Sequence, residues 1–309
     1  MATKTKNRPP KPRQIRHAKP PARAARRRWL LFSVAGAALL VGGVLALTAL
    51  RSGGSSSPLG LPNTPDYHSL LVDRADSQKL TLGTHNGLYV SADGGVHWRS
   101  DALAGDDAMN LAQPNGATIW FAGHDVFKQS RDNGKTWSDL RPSGLPGLDI
   151  HGFAVDPRNP VILYAALAGQ GLYRSVDGGR SFRVVSRAVG GSVMALAVLR
   201  DGKILAGDMA QGLLASGDGG SSWQKVLAAR VMGLAVNPNQ PQRVLASGAG
   251  IALSTDGGST WRSVIDLPRG AGPIAWSPGD SKLAYAVGLD RVLYRSTDAG
   301  GSWQPVGGG

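Results

Sequence analysis

Six short strings decide the fold: SADGGVHW (Ser91 to Trp98), SRDNGKTW (Ser130 to Trp137), SVDGGRSF (Ser175 to Phe182), SGDGGSSW (Ser216 to Trp223), STDGGSTW (Ser254 to Trp261) and STDAGGSW (Ser296 to Trp303). Their aspartates, Asp93, Asp132, Asp177, Asp218, Asp256 and Asp298, follow one another at intervals of 39, 45, 41, 38 and 42 residues. A fixed period of that length is the signature of a propeller or a solenoid. Upstream of each string lies an alternating run such as Gly87-Leu88-Tyr89-Val90-Ser91, and before it come two more apolar runs, as in Ile162-Leu163-Tyr164-Ala165 and Gly152-Phe153-Ala154-Val155. Short strands with frequent turn signals read as all-β, and four strands per period make one propeller blade. We therefore expect a six-bladed propeller of four-stranded blades over residues 66–309, with seven blades as the alternative.

The residue types in the string have a local purpose. The aspartate accepts backbone N–H groups across a tight turn. The following glycine supplies a positive φ, and the aromatic covers the hairpin. Five of the eight tryptophans occupy that last position (Trp98, Trp137, Trp223, Trp261 and Trp303), and Phe182 fills it in the third copy. A ring of aspartates holding cations or sugars is the rival reading, but the spacing lacks the dense ligands of a calcium loop.

The string resembles the Asp box, or BNR repeat, found in sialidases, sortilin-like receptors and photosystem II assembly-factor-like proteins. The resemblance implies that each box joins the third and fourth strands of a blade. It also raises sialidase activity, yet the catalytic residues that sialidases share are not found. No Arg-Ile-Pro string occurs, and there is no glutamate to assist a tyrosine nucleophile. The chain also lacks cysteine, which removes disulfides, thiolate metal sites and a cysteine nucleophile.

The net charge of +13 is unevenly placed. Residues 1–28 hold eleven Lys or Arg and no acid, so the remainder is nearly neutral and gives no sign of a nucleic-acid partner. Residues 29–50 carry no charge and would span about 33 Å as a helix, enough for a bilayer core. With Arg26, Arg27 and Arg28 at its start, this segment reads as a single-pass signal anchor with a cytoplasmic N-terminus, the basic tail lying against anionic lipid. A cleaved signal peptide is the alternative. Residues 51–65 read as a Gly/Ser/Pro linker, and the propeller is expected outside the cytoplasm as a monomer.

If the boxes occupy one face, the turns between strands two and three and the loops between blades occupy the other. Candidates there are His85, His124, Asp125 and Arg291 from turns, and Arg141, Arg187, Arg230 and Arg269 from inter-blade loops. Asp106, Asp107 and Asp149 belong to the same loops. A second alignment falls at the start of each first strand: His68, Met109, His151, Met194, Met232 and Gly272. Its first reading is packing by adaptable side chains, and a soft-ligand copper site is the other. No catalytic residue, cofactor or metal set is assigned. The sequence favours a membrane-anchored, non-catalytic scaffold for a protein or polysaccharide. The alternative is a glycan hydrolase with an Asp-based site.

Overall fold

The computed structural model describes residues 60–101, 103–114, 116–189 and 191–307. The expected anchor at 29–50 and the basic tail lie outside them. Among the described residues there is no helix long and apolar enough to cross a membrane.

The chain forms six four-stranded antiparallel sheets, each contributed by consecutive strands. In the first blade these are β1 (Ser69–Val72), β2 (Leu80–Thr84), β3 (Gly87–Ser91) and β4 (Arg99–Ser100). The other blades occupy 110–139, 150–186, 193–227, 231–266 and 271–305. Six blades are present, so the seven-bladed alternative is set aside. The first strands neighbour one another in a closed circle around the axis, the last returning to β1. The fourth strands form the outer rim. Each opens on exposed residues, polar in most, as with Arg99-Ser100, Ser138-Asp139, Gln224-Lys225 and Arg262-Ser263, which protects an unpaired sheet edge from further pairing.

Each of the six blade-to-blade seams has its own apolar cluster. Trp120, Phe127, Phe153 and Phe182 fill the seam between blades two and three. Other clusters fill the seams between one and two, three and four, four and five, and five and six. Among the described residues, no strand is exchanged between the first and last blades to close the ring. The closing seam instead packs Leu70, Leu80, Leu82 and Trp98 of blade one against Leu283, Tyr285, Val287 and Leu293 of blade six. Polar clasps reinforce it. Arg291 donates to Asn63 Oδ1 at 2.6 Å and to the Thr64 carbonyl at 2.7 Å, and Tyr67 donates to the Pro62 carbonyl at 2.7 Å. The described end of the expected linker is thus docked, with Thr64 buried.

The boxes sit between third and fourth strands, where the resemblance places them. Near the axis, Asn110 donates to the carbonyls of Ile150 and His151 and accepts from Phe153 N–H, tying blade two to blade three.

The box aromatics are not equivalent. Trp98, Phe182 and Trp303 are buried, whereas Trp137, Trp223 and Trp261 are half-buried. Trp98→Ala, in the closing seam, is expected to cost about 3–5 kcal/mol, and Trp261→Ala clearly less. Chemical denaturation of both variants checks this. Equal losses would mean that the closing seam is no more sensitive than the half-buried box positions.

Candidate functional site

The boxes close their chemistry on themselves. In the last one, Ser296 Oγ–H donates to Asp298 Oδ1 at 2.8 Å, and Gly300 N–H donates to Ser296 Oγ at 2.9 Å. The Ser302 N–H reaches Asp298 Oδ1 and the Ser302 hydroxyl reaches Oδ2, at 2.9 and 2.7 Å. The other five boxes repeat the serine–aspartate pairing. In the first, His97 takes the place of the hydroxyl and contacts Asp93 Oδ2 at 2.6 Å. These donors hold Asp298 down to about 2 and Asp132 likewise. At Asp93 the same kind of donors, from His97 and Ser91, bring the group to about 2 against the upward push of burial. Each carboxylate is already occupied by its own turn, which leaves little for a ligand.

The opposite face is different. His85 and His124 occupy two-residue turns between the second and third strands of blades one and two. His68 precedes β1, and His151 lies in the first strand of blade three, Ile150–Val155. Asp66 and Asp107 stand two residues before the first-strand slots of blades one and two, and Asp149 does so in blade three. The seven side chains meet across three blades. Asp107 is at the centre: its Oδ2 contacts His85 Nδ1 at 2.6 Å and also His124 Nδ1. An ionised carboxylate only accepts, so both contacts place the imidazole proton on Nδ1. Gly123 allows this approach, because a Cβ there would meet the Asp107 carbonyl oxygen at 1.9 Å.

The two outward-facing Nε2 atoms each enter a second group. His85 Nε2 lies 2.9 Å from Asp66 Oδ2 and 3.1 Å from His68 Nε2, and His68 Nε2 lies 3.2 Å from Asp66 Oδ1. On the other side, His124 Nε2 lies 2.9 Å from His151 Nε2 and 3.2 Å from Asp149 Oδ1, with His151 and Asp149 3.1 Å apart. Burial pushes His68 below its ordinary pKa, against the pull of Asp66. Asp66 Oδ1 and Asp107 Oδ1 are buried without a hydrogen-bond partner.

The remaining expected residues are not gathered here. Asp125 follows His124 in its turn, exposed and at φ 56°. Arg187, Arg230 and Arg269 are exposed in the loops after blades three, four and five. Arg291 is occupied by the clasp on Asn63 and Thr64. Arg141 stands two residues after the rim strand of blade two, where the chain runs to a bridge between Ser143 and Ser181 of the third box. Asp106 and Asp107 do not form a carboxylate pair of the kind a glycosidase uses, since Asp106 faces Lys128 Nζ at 3.3 Å and Asp107 faces the histidines.

The axis has a cavity at each end. One of about 310 Å3 opens where the first strands end, lined by Val72, Val155, Val198, Val236 and Trp276. The other, about 90 Å3, is lined by His68, Met109, Met194 and Met232. The larger is walled mainly by apolar strand residues and lies away from the histidines; the chemistry is at the smaller end. In the aligned slot the methionines line the cavity as packing side chains, whereas His68 and His151 join the cluster. The sequence carried a signal for this. Asp-x-His, Asp-x-Met and Asp-x-His precede the first three blades, and a histidine stands in the turns of the first two.

The family model for photosynthesis system II assembly factor YCF48 matches residues 67–307. No curated protein sequence matches the chain. Among solved structures, a GH74 xyloglucanase from Xanthomonas campestris is 19% identical with a TM-score of 0.57, covering 81% of this chain and 46% of its own. A structure of YCF48 bound to D1 peptide is 19% identical with a TM-score of 0.51, covering 82% and 84%. YCF48 from Cyanidioschyzon merolae is 17% identical with a TM-score of 0.52, covering 81% and 87%. This chain spans less than half of the xyloglucanase. At these identities the structures share a fold, and the hydrolase's activity does not follow from it.

The depressed box aspartates link stability to acid. A carboxyl held below its ordinary pKa adds stability above about pH 4, and that stability is lost as pH falls through the folded value. Asp298→Asn is therefore expected to lower the melting temperature at pH 6, with the gap from wild type closing towards pH 2. Thermal melts across that range check it; a gap that stays constant would mean that the charged form contributes nothing.

Proposed function

Because the chain belongs to the photosynthesis system II assembly factor YCF48 family, we propose that it is a non-catalytic propeller that holds a protein partner on the face opposite its Asp boxes. The observation that carries this reading is the match along the whole propeller, together with boxes whose carboxylates are consumed by their own turns. A relative has been captured with a peptide of D1, which supports a protein over a polysaccharide as the kind of ligand. Here the exposed Arg187, Arg230 and Arg269 follow one another around that face at one per blade, a spacing suited to an extended chain bearing carboxylates.

Residues 29–50 in this proposal are an uncleaved membrane anchor, with the basic tail in the cytoplasm and the propeller outside it. The support is the uncharged 22-residue length and the three arginines at its start. An anchor would keep a scaffold close to membrane-protein partners during their assembly.

The test is a crosslinking pull-down from native membranes with the wild-type chain and with Arg187→Ala/Arg230→Ala/Arg269→Ala. A specific protein is expected with wild type and at least ten-fold less of it with the triple variant. Equal capture by both would remove the arginine face from the proposal. Saturable hydrolysis of fluorogenic glycosides by the purified chain would replace the binding reading with a hydrolase.

A further inference from the structure

We infer that the histidine–aspartate array binds two divalent transition-metal ions of the zinc class, one held by Asp66, His68 and His85 and the other by His124, Asp149 and His151. This does not rest on the partner proposal: the arginines and the array involve different residues. Three sets of carboxylate and imidazole atoms converge on this face, and geometry separates them. The central contact of His85 with Asp107 has hydrogen-bond length, at 2.6 Å, and is accounted for by protons on the two Nδ1 atoms. In each outer trio a proton on His68 or His151 Nε2 serves the facing imidazole, but the His85 and His124 Nε2 lone pairs still face a carboxylate oxygen, at 2.9 and 3.2 Å, with no proton between them.

In one outer trio His124 Nε2, His151 Nε2 and Asp149 Oδ1 lie 2.9 to 3.2 Å from one another; in the other, His68 and His85 Nε2 are 3.1 Å apart and face different oxygens of Asp66, Oδ1 at 3.2 Å and Oδ2 at 2.9 Å. A tetrahedral ion with bonds of about 2.0–2.1 Å sets its ligands ~3.3 Å apart. Asp107 fixes the proton of His85 and His124 on Nδ1, so in the neutral ring each Nε2 is a lone pair. Each lone pair faces a carboxylate oxygen and a second imidazole nitrogen, an arrangement that calls for a positive charge between them. Asp66 Oδ1, buried without a hydrogen bond and with only His68 Nε2 beside it at 3.2 Å, points to the same need. Two imidazoles and one carboxylate suit zinc and its neighbours better than calcium or magnesium, which take oxygen ligands.

The supporting shell is also present. A metal-bound histidine commonly donates its other N–H to a carboxylate that orients the ring. Asp107 does this for both trios at once, which makes it a positioning residue for two sites. A route from solvent is open, since the His85 and His124 side chains are 38% and 39% exposed and Asp149 is 54% exposed.

The full chain, purified in mild detergent and freed of metal by a chelator, is titrated with Zn2+ alone by calorimetry and with Co2+ alone by visible absorption. Two ions per chain are expected, with intense visible bands from tetrahedral Co2+ and no competition from Ca2+ or Mg2+. His68→Ala and His151→Ala should each leave one ion. Asp149→Asn, at the exposed edge, should also leave one without disturbing packed residues. Asp107→Asn should keep two ions and weaken both roughly 10- to 100-fold. His97→Gln, in a box, should leave the count at two. No saturable Zn2+ binding by the wild-type chain, or a count unmoved in a folded Asp149→Asn protein, overturns the inference, and so does a His97→Gln count below two.

Discussion

A four-stranded blade with two apolar faces has no stable life alone, because each face must be covered by another sheet. Six such blades satisfy the requirement only by closing a circle, so every seam is both a local core and a condition for the others. Among the described residues the closing seam is sealed by side-chain packing and a clasp, with no strand shared between the first and last blades. Leu80, Leu82, Trp98, Tyr285 and Leu293 make that contact, and Arg291 secures the chain entering the first blade.

Closure also divides the molecule into two ends with different chemistry. At one end the boxes spend their polar atoms on turns. At the other, the ring brings first-strand residues beside the strand-two to strand-three turns of adjacent blades. Asp107, in the loop between blades one and two, thereby stands between His85 of one and His124 of the other. Residues 85 and 124 are far apart in the chain, and only the blade-to-blade angle makes them neighbours.

How much of this was legible in the sequence follows from the same division. The box string is local, so its period displays the propeller and its six copies, with seven blades left open, and the purpose of Asp93 and its equivalents. The site is not local. His85 and His124 could be placed on one face, but His68 and His151 were grouped with methionines as packing, because slot alignment shows which residues are equivalent and not which ones touch. Met194 and Met232 fit that grouping; the two histidines do not. Arg291 reads as a surface residue in sequence, yet its partners, Asn63 and Thr64, lie more than two hundred residues away. The repeat's own regularity hid the departures that matter, namely the Asp-x-His pairs confined to the first and third blades.

In the metal proposal, ligand chemistry belongs to the end opposite the boxes and is organised there by Asp107. A crystal structure of the chain grown with zinc, with anomalous diffraction recorded on both sides of the zinc absorption edge, tests it most directly. Two anomalous peaks are expected, one between Asp66, His68 and His85 and one between His124, Asp149 and His151, flanking an Asp107 that still bridges the two rings. Peaks at the Asp boxes, or no peak within bonding distance of the four histidines, would contradict it.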